Sequence, residues 1–239
     1  IGSPLSKNGL IANSQRELSE KFKAKGCFFG VNGASGLIQS AVIAMANPGE
    51  TIMVPRNVHI SVIKILAMQN IIPIFFDLEF SSKTGHYKPI TKIWLENVFK
   101  KINLKENKIV GVILVSPTYH GYAGDLEPLI DLCHQKNLPV LVDEAHGSYF
   151  IYCENLDLPK SALLSNADLV VHSLHKSLNG LTQTAALWYK GNLINEHNLI
   201  RSINLLQTTS ASSLLLSSCE ESIKDWLNIK SLSKYQKRI

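Results

Sequence analysis

Asp143 and Lys176 are the two residues whose types and placement point to chemistry. Asp143 ends the apolar run Val140-Leu141-Val142 and opens Asp143-Glu144-Ala145-His146. Lys176 follows the apolar run Val170-Val171 in His172-Ser173-Leu174-His175-Lys176-Ser177. A carboxylate at the end of a buried strand is costly unless a cationic or hydrogen-bonding partner meets it. A protonated pyridine nitrogen is such a partner. A lysine in a turn close by is the amine that condenses with an aldehyde. Together they are what pyridoxal 5'-phosphate (PLP) requires of a protein.

Other segments supply what such a cofactor needs, each after a strand-like run. Asn32-Gly33-Ala34-Ser35-Gly36 is a Gly-rich turn into an apolar helix. Its amides and the Ser35 hydroxyl suit a phosphate at a helix N-terminus. His59, in Pro55-Arg56-Asn57-Val58-His59, is placed to stack on an aromatic ring. Ser116-Pro117-Thr118-Tyr119-His120-Gly121 brings hydroxyls and rings, Thr118 among them, that could reach the phenolic oxygen of the cofactor. Ser173 and His175 alternate with Leu174 and so share a side, toward a phosphate.

These positions depend on the elements that carry them. Helix is expected after the Asn13-Ser14 cap to about Lys23, with Glu17 at capping-box spacing from Ser14. Further helices are expected over Leu37–Ala46, Val58–Gln69, Ile90–Ile102, Pro128–Lys136, Leu193–Leu206 and Ser212–Leu227. Strands are expected over Cys27–Val31, Thr51–Val54, Ile71–Phe76, Ile109–Val115, Pro139–Val142, Leu169–Val171 and Ala185–Tyr189, with a polar loop over Phe80–Tyr87. Strands alternating with helices argue for an α/β fold: a mostly parallel sheet covered by helices on both faces. In such a sheet ligands sit at the carboxyl ends of the strands, where all these candidates fall.

Composition narrows the classes. The chain has 239 residues, 45% apolar and 18% charged, enough for one large α/β domain or two small domains. No apolar run is long enough for a membrane span, and no secretory leader follows Ile1. Beginning on Ile1, the chain reads as part of a longer protein. Four cysteines without CxxC spacing argue against a metal site or a disulfide framework and for reduced thiols in a cytoplasmic protein. The net charge of +5 comes from scattered lysines rather than a basic stripe, so nucleic acid is not an expected partner. Asp143-Glu144-Ala145-His146 also matches the DEAH box of helicases, but no phosphate-binding G-x-x-x-x-G-K-[ST] segment precedes it.

The chain resembles the bacterial ornithine/lysine/arginine decarboxylase family, from about Asn8 to Glu221. The resemblance rests on Asn32-Gly33-Ala34-Ser35, Pro55-Arg56-Asn57-Val58-His59, Pro117-Thr118-Tyr119-His120-Gly121 and Gly124-Asp125-Leu126. It continues in Leu141-Val142-Asp143-Glu144-Ala145-His146-Gly147, Ser173-Leu174-His175-Lys176-Ser177, Leu181-Thr182-Gln183 and Leu205-Leu206-Gln207-Thr208-Thr209-Ser210. It implies a fold-type I (aspartate-aminotransferase-like) large domain, a three-layer αβα PLP-binding unit over residues 1–229. Residues 230–239 would then lead toward a C-terminal domain.

The implied activity is PLP-dependent decarboxylation of lysine, arginine or ornithine. Lys176 would carry the cofactor, Asp143 would pair with the ring nitrogen, and His59 would stack on the ring. Ala34, Ser35, Gly36, Ser173 and His175 would bind the phosphate, with Ala145 and His146 beside the cofactor and His146 also near the substrate. Thr208 or Thr209 would reach the phosphate of a neighbouring subunit in a homodimer or larger homo-oligomer. The family loop usually reads Asn-Gly-Thr-Ser-Thr; Ala34 and Gly36 here remove two hydroxyls and leave the amides. Two alternatives stay open: another fold-type I reaction, such as that of an aminotransferase or lyase, and a PLP-binding fragment without turnover.

Overall fold

Seven strands form one twisted sheet in the order β1-β9-β8-β7-β6-β2-β3, seen in a computed structural model that describes residues 4–102, 106–152 and 158–228. The strands are β1 (Gly26–Gly30), β2 (Thr51–Pro55), β3 (Ile72–Phe76), β6 (Ile109–Val115), β7 (Val140–Asp143), β8 (Leu169–Ser173) and β9 (Ala185–Tyr189). Neighbours from β8 through β7, β6 and β2 to β3 run parallel, whereas β9 is antiparallel to both β1 and β8. The mostly parallel sheet expected from the sequence is therefore present. Its central strands are continuous apolar runs because both faces are covered.

Helices cover each face. One layer holds α2 (Gly33–Met45), α3 (Ile60–Met68) and α7 (Glu196–Leu206), packed through Leu37, Ile38, Val62, Ile65 and Leu199. The other holds α1 (Leu10–Lys21), α4 (Lys92–Lys100), α5 (Glu127–His134) and α8 (Ser213–Asn228), packed through Ile11, Leu18, Leu95, Leu129 and Leu216. Burying each such side chain contributes about 1.5–3 kcal/mol against the entropy of ordering the chain. Among the described residues no helix is long and apolar enough to cross a membrane.

Several element ends depart from the sequence expectation. The Ser14–Glu17 capping box does not form, because α1 starts at Leu10 behind Gly9 (φ 109°). Ser14 is buried inside the helix and its hydroxyl has no partner. The driving force is tertiary: starting early lets Ile11 reach the core and lets the Gln15 side chain bond to Phe29 N and Pro4 O. Likewise α2 begins at Gly33 rather than Leu37. The expected turn Asn32–Gly36 is thus mostly the first helical turn, made possible by Gly33 at φ 73°. The expected loop Phe80–Tyr87 is a short hairpin, β4 (Phe80–Ser81) with β5 (His86–Tyr87). The helices α4 and α7 are shorter than the apolar pattern suggested, because Thr91 and Asn195 cap them by accepting the Trp94 and Asn198 amides.

The packing of α2 on β1 is close. A Cβ on Gly30 would lie 2.8 Å from Leu37 Cγ, so glycine is required where this helix meets the strand. This contact sets the position of the α2 N-terminus. Cys27, Cys133 and Cys219 are free and buried, and burial pushes the Cys133 and Cys219 thiols up to about 12. The expected linker 230–239, and Cys153, lie outside the described residues.

Candidate active site

The carboxyl ends of the strands converge because register aligns them: Val115 pairs with Asp143, and Asp143 with Val171. A cavity of about 500 Å³ opens above this edge. It is lined by Gly33, Ala34, Ser35, His59, Asp143, Ala145, His146, Ser173, His175 and Lys176, all within the segments singled out by sequence. Asn57, Val58, Ile38, Ile60, Val115, Pro117 and Tyr119 complete the wall. Most of these had no individual signal. Ile38, for example, is one of many apolar positions on α2, and only packing selects it.

Asp143 forms the floor. It is 7% exposed, and its Oδ1 accepts the Ala145 amide at 3.1 Å. Burial raises its pKa above the ordinary carboxylate value, opposed by the Ala145 hydrogen bond and by the charges of Lys176 and His59. Among the described residues it makes no ion pair. A desolvated carboxylate facing a cavity suits a cationic ring nitrogen.

Lys176 lies in a single helical turn, α6 (Leu174–Ser177), that follows β8 directly. The expected turn is here a short helix. Its Nζ donates to His146 Nε2 at 3.1 Å. Burial, then the charges of Lys176 and His59, lower the His146 pKa. His146 is therefore held neutral, as an acceptor for the lysine.

His59 caps α3, where Nδ1 accepts the Ser61 amide at 3.2 Å and lies 2.8 Å from the Ser61 hydroxyl. This fixes the imidazole at the cavity mouth with its ring exposed. Ser173 is buried, with Oγ 3.3 Å from His175 Nδ1. That pair faces the first turn of α2, where Ala34 and Ser35 line the wall. Free amides, two hydroxyls and an imidazole around a helix N-terminus suit a phosphate.

Four expected positions lie off the cavity wall. Gly36 sits in the first turn of α2 against the Asn32 side chain. Thr118 is buried beside the cavity, and its hydroxyl accepts the Tyr122 amide at 3.2 Å, shaping the loop that presents Tyr119. Tyr119 packs edge-on against His146, with ring centroids 5.9 Å apart. Thr208 and Thr209 are exposed in the turn between α7 and α8, and the Thr208 hydroxyl accepts the Ser210 amide. The floor, amine, ring cover and phosphate cradle thus fit PLP.

An arginine decarboxylase of Bacillus cereus is 37% identical over 212 residues, covering 89% of this chain and 45% of that protein. The chain spans about half the length of the curated relatives it matches. The lysine decarboxylase LdcF of Francisella novicida superposes with a TM-score of 0.78 at 23% identity, over 92% of this chain and 32% of that one. Bna3p of Saccharomyces cerevisiae, described as a putative kynurenine aminotransferase, superposes with a TM-score of 0.73 at 18% identity, over 98% and 57%. These likenesses identify the α/β fold of the fold-type I enzymes. The model of the Orn/Lys/Arg decarboxylase major domain matches residues 1–237, and the chain belongs to that family.

Proposed function

We propose that the whole protein is a PLP-dependent decarboxylase of a basic amino acid, lysine, arginine or ornithine, releasing carbon dioxide and the corresponding amine. One observation carries the reading: a desolvated Asp143 and the amine of Lys176 share one cavity beside a helix N-terminus. When bound, PLP supplies an aldehyde and an electron-poor ring able to accept the electrons of a breaking bond at Cα.

The chain's own residues have separate tasks. Lys176 Nζ provides the amine that holds the cofactor. Asp143 holds the proton on the ring nitrogen, and His59 covers the ring. The α2 amides at Ala34 and Ser35, with Ser173 and His175, hold the phosphate, and Gly36 keeps the first turn open. Thr118 and Ala145 support the loops on either side. His146 Nε2, kept neutral, accepts the hydrogen bond of Lys176 Nζ and so positions that amine for proton exchange at the substrate carbon.

Thr208 or Thr209 is proposed to reach the phosphate of a second copy in a homodimer. A cytoplasmic location is proposed from the buried, unpaired thiols.

The experiment is borohydride trapping of PLP followed by peptide mapping, paired with carbon dioxide release by the full-length protein from each of the three amino acids. The expected result is a label on Lys176, absent from Lys176→Ala, and release from one of the three. A label elsewhere would reject the Lys176 assignment. Keto-acid formation without carbon dioxide would replace decarboxylation by amino transfer.

A further inference from the structure

Directly behind the cavity floor, on the other face of the sheet, lies a polar cluster that the proposed chemistry does not use. Side chains alternate along a strand, so Asp143 and Ser173 face the cavity while their neighbours Glu144 and His172 face away. Both neighbours are almost completely buried, at 0% and 1% exposure. Glu144 Oε2 lies 2.8 Å from His172 Nε2 and accepts the Ser161 hydroxyl at 2.7 Å. Its Oε1 accepts the Ala162 amide at 2.8 Å. Trp188 Nε1 donates to His172 Nδ1 at 2.9 Å. An indole N–H can only donate, so Nδ1 accepts and the imidazole proton sits on Nε2, directed at Glu144.

We infer that Glu144 and His172 are a positioning pair, tying the end of β7 to the end of β8 so that Asp143 and the Lys176 turn keep a fixed separation. Glu144 follows Asp143, and His172 precedes Ser173 and α6. Trp188 extends the tie to β9, and Ser161 and Ala162 anchor it from a third segment. At the opposite ends of the same two strands stands a comparable pair. Asp168 Oδ2 accepts the Val140 amide at 2.8 Å and lies 2.7 Å from His134 Nε2. That pair is remote from the cavity and serves as an internal control.

The test uses Glu144→Gln and His134→Gln with two readouts. Glutamine presents an amide N–H where His172 needs an acceptor, or abandons the Ala162 amide. The first readout is hydrogen exchange at Leu174, Leu178 and Gly180, whose amides are bonded to Thr184 O and Leu174 O. The second is PLP affinity, which rests on the cofactor reading above. Glu144→Gln is expected to speed exchange at these amides at least tenfold and to weaken PLP at least tenfold. His134→Gln is expected to lower the melting temperature and change neither. Equal behaviour of the two variants at matched loss of melting temperature, or unchanged exchange in Glu144→Gln, would overturn the inference.

If Glu144→Gln does not fold, Ser161→Ala, which removes one donor, takes its place. Faster exchange at the three amides supports the pair and unchanged exchange rejects it. A wild type that binds no PLP rejects the cofactor reading, and exchange alone then decides the positioning role.

Discussion

Lys176 Nζ stands 3.1 Å from His146 Nε2, so the amine proposed to hold the cofactor and an imidazole kept neutral share one hydrogen bond. Glu144 and His172 anchor the strands beneath them. Replacing His146 by Phe keeps a ring for Tyr119 to pack against but removes the acceptor. In the full-length protein kcat/KM is expected to fall roughly 10²- to 10⁴-fold, as for loss of a proton-transfer group. Borohydride trapping on Lys176 should persist. Loss of the label together with activity would make His146 a binding group instead.

Asp143 carries a folding cost that a cationic ligand would relieve. Burial raises its pKa, so in the absence of a cationic ligand its ionisation opposes folding. The stability it permits is complete below the unfolded carboxylate value of about 3.9 and declines as pH rises through the higher folded value. Asp143→Asn keeps the Ala145 hydrogen bond and cannot ionise. Cofactor-free Asp143→Asn should therefore melt above wild type at pH 7, and the advantage should vanish near pH 3. The same variant should lose activity. A lower melting temperature at pH 7 would show that Asp143 has an unrecognised cationic partner.

His134 behaves in the opposite sense. Its hydrogen bond to Asp168 raises its pKa, against a smaller lowering by burial, with added charge effects of Asp168 and Asp131. The pair therefore stabilises fully below the unfolded histidine value of about 6.5, and the contribution is lost as pH rises through the higher folded value. His134→Gln should cost about 1 kcal/mol at pH 5.5, or about 2–4 °C in melting temperature. Thermal melts from pH 5 to 9 should show the gap closing toward high pH. A gap independent of pH would mean the ion pair contributes only by packing.

Gly30→Ala tests the seat of α2. The added Cβ would meet Leu37 Cγ at 2.8 Å, and Leu37 is fully buried, so the helix must shift. A cost of about 1–3 kcal/mol is expected for overpacking of this kind. Because Ala34 and Ser35 ride on the same helix, PLP affinity should fall as well. Denaturant unfolding and a PLP titration measure the two effects, and an unchanged affinity would show that the phosphate cradle does not depend on this contact.

Sequence by itself determined the parallel α/β organisation and the segments that carry Asp143, Lys176, His59, Ser35 and Ser173. Those features rest on local rules, continuous apolar runs and strand-end positions, which survive folding because each is set along one element. Alternation alone even separates Asp143 from Glu144. Tertiary structure decided what no local rule contains. It drew α1 back to Leu10 so that Ile11 could be buried, and it turned the loop before Leu37 into the first turn of α2. It also set Lys176 against His146 and joined Glu144 to His172, Trp188 and Ser161. These contacts link residues far apart in the chain, and they exist only because strand register and helix packing bring several segments to one edge of the sheet.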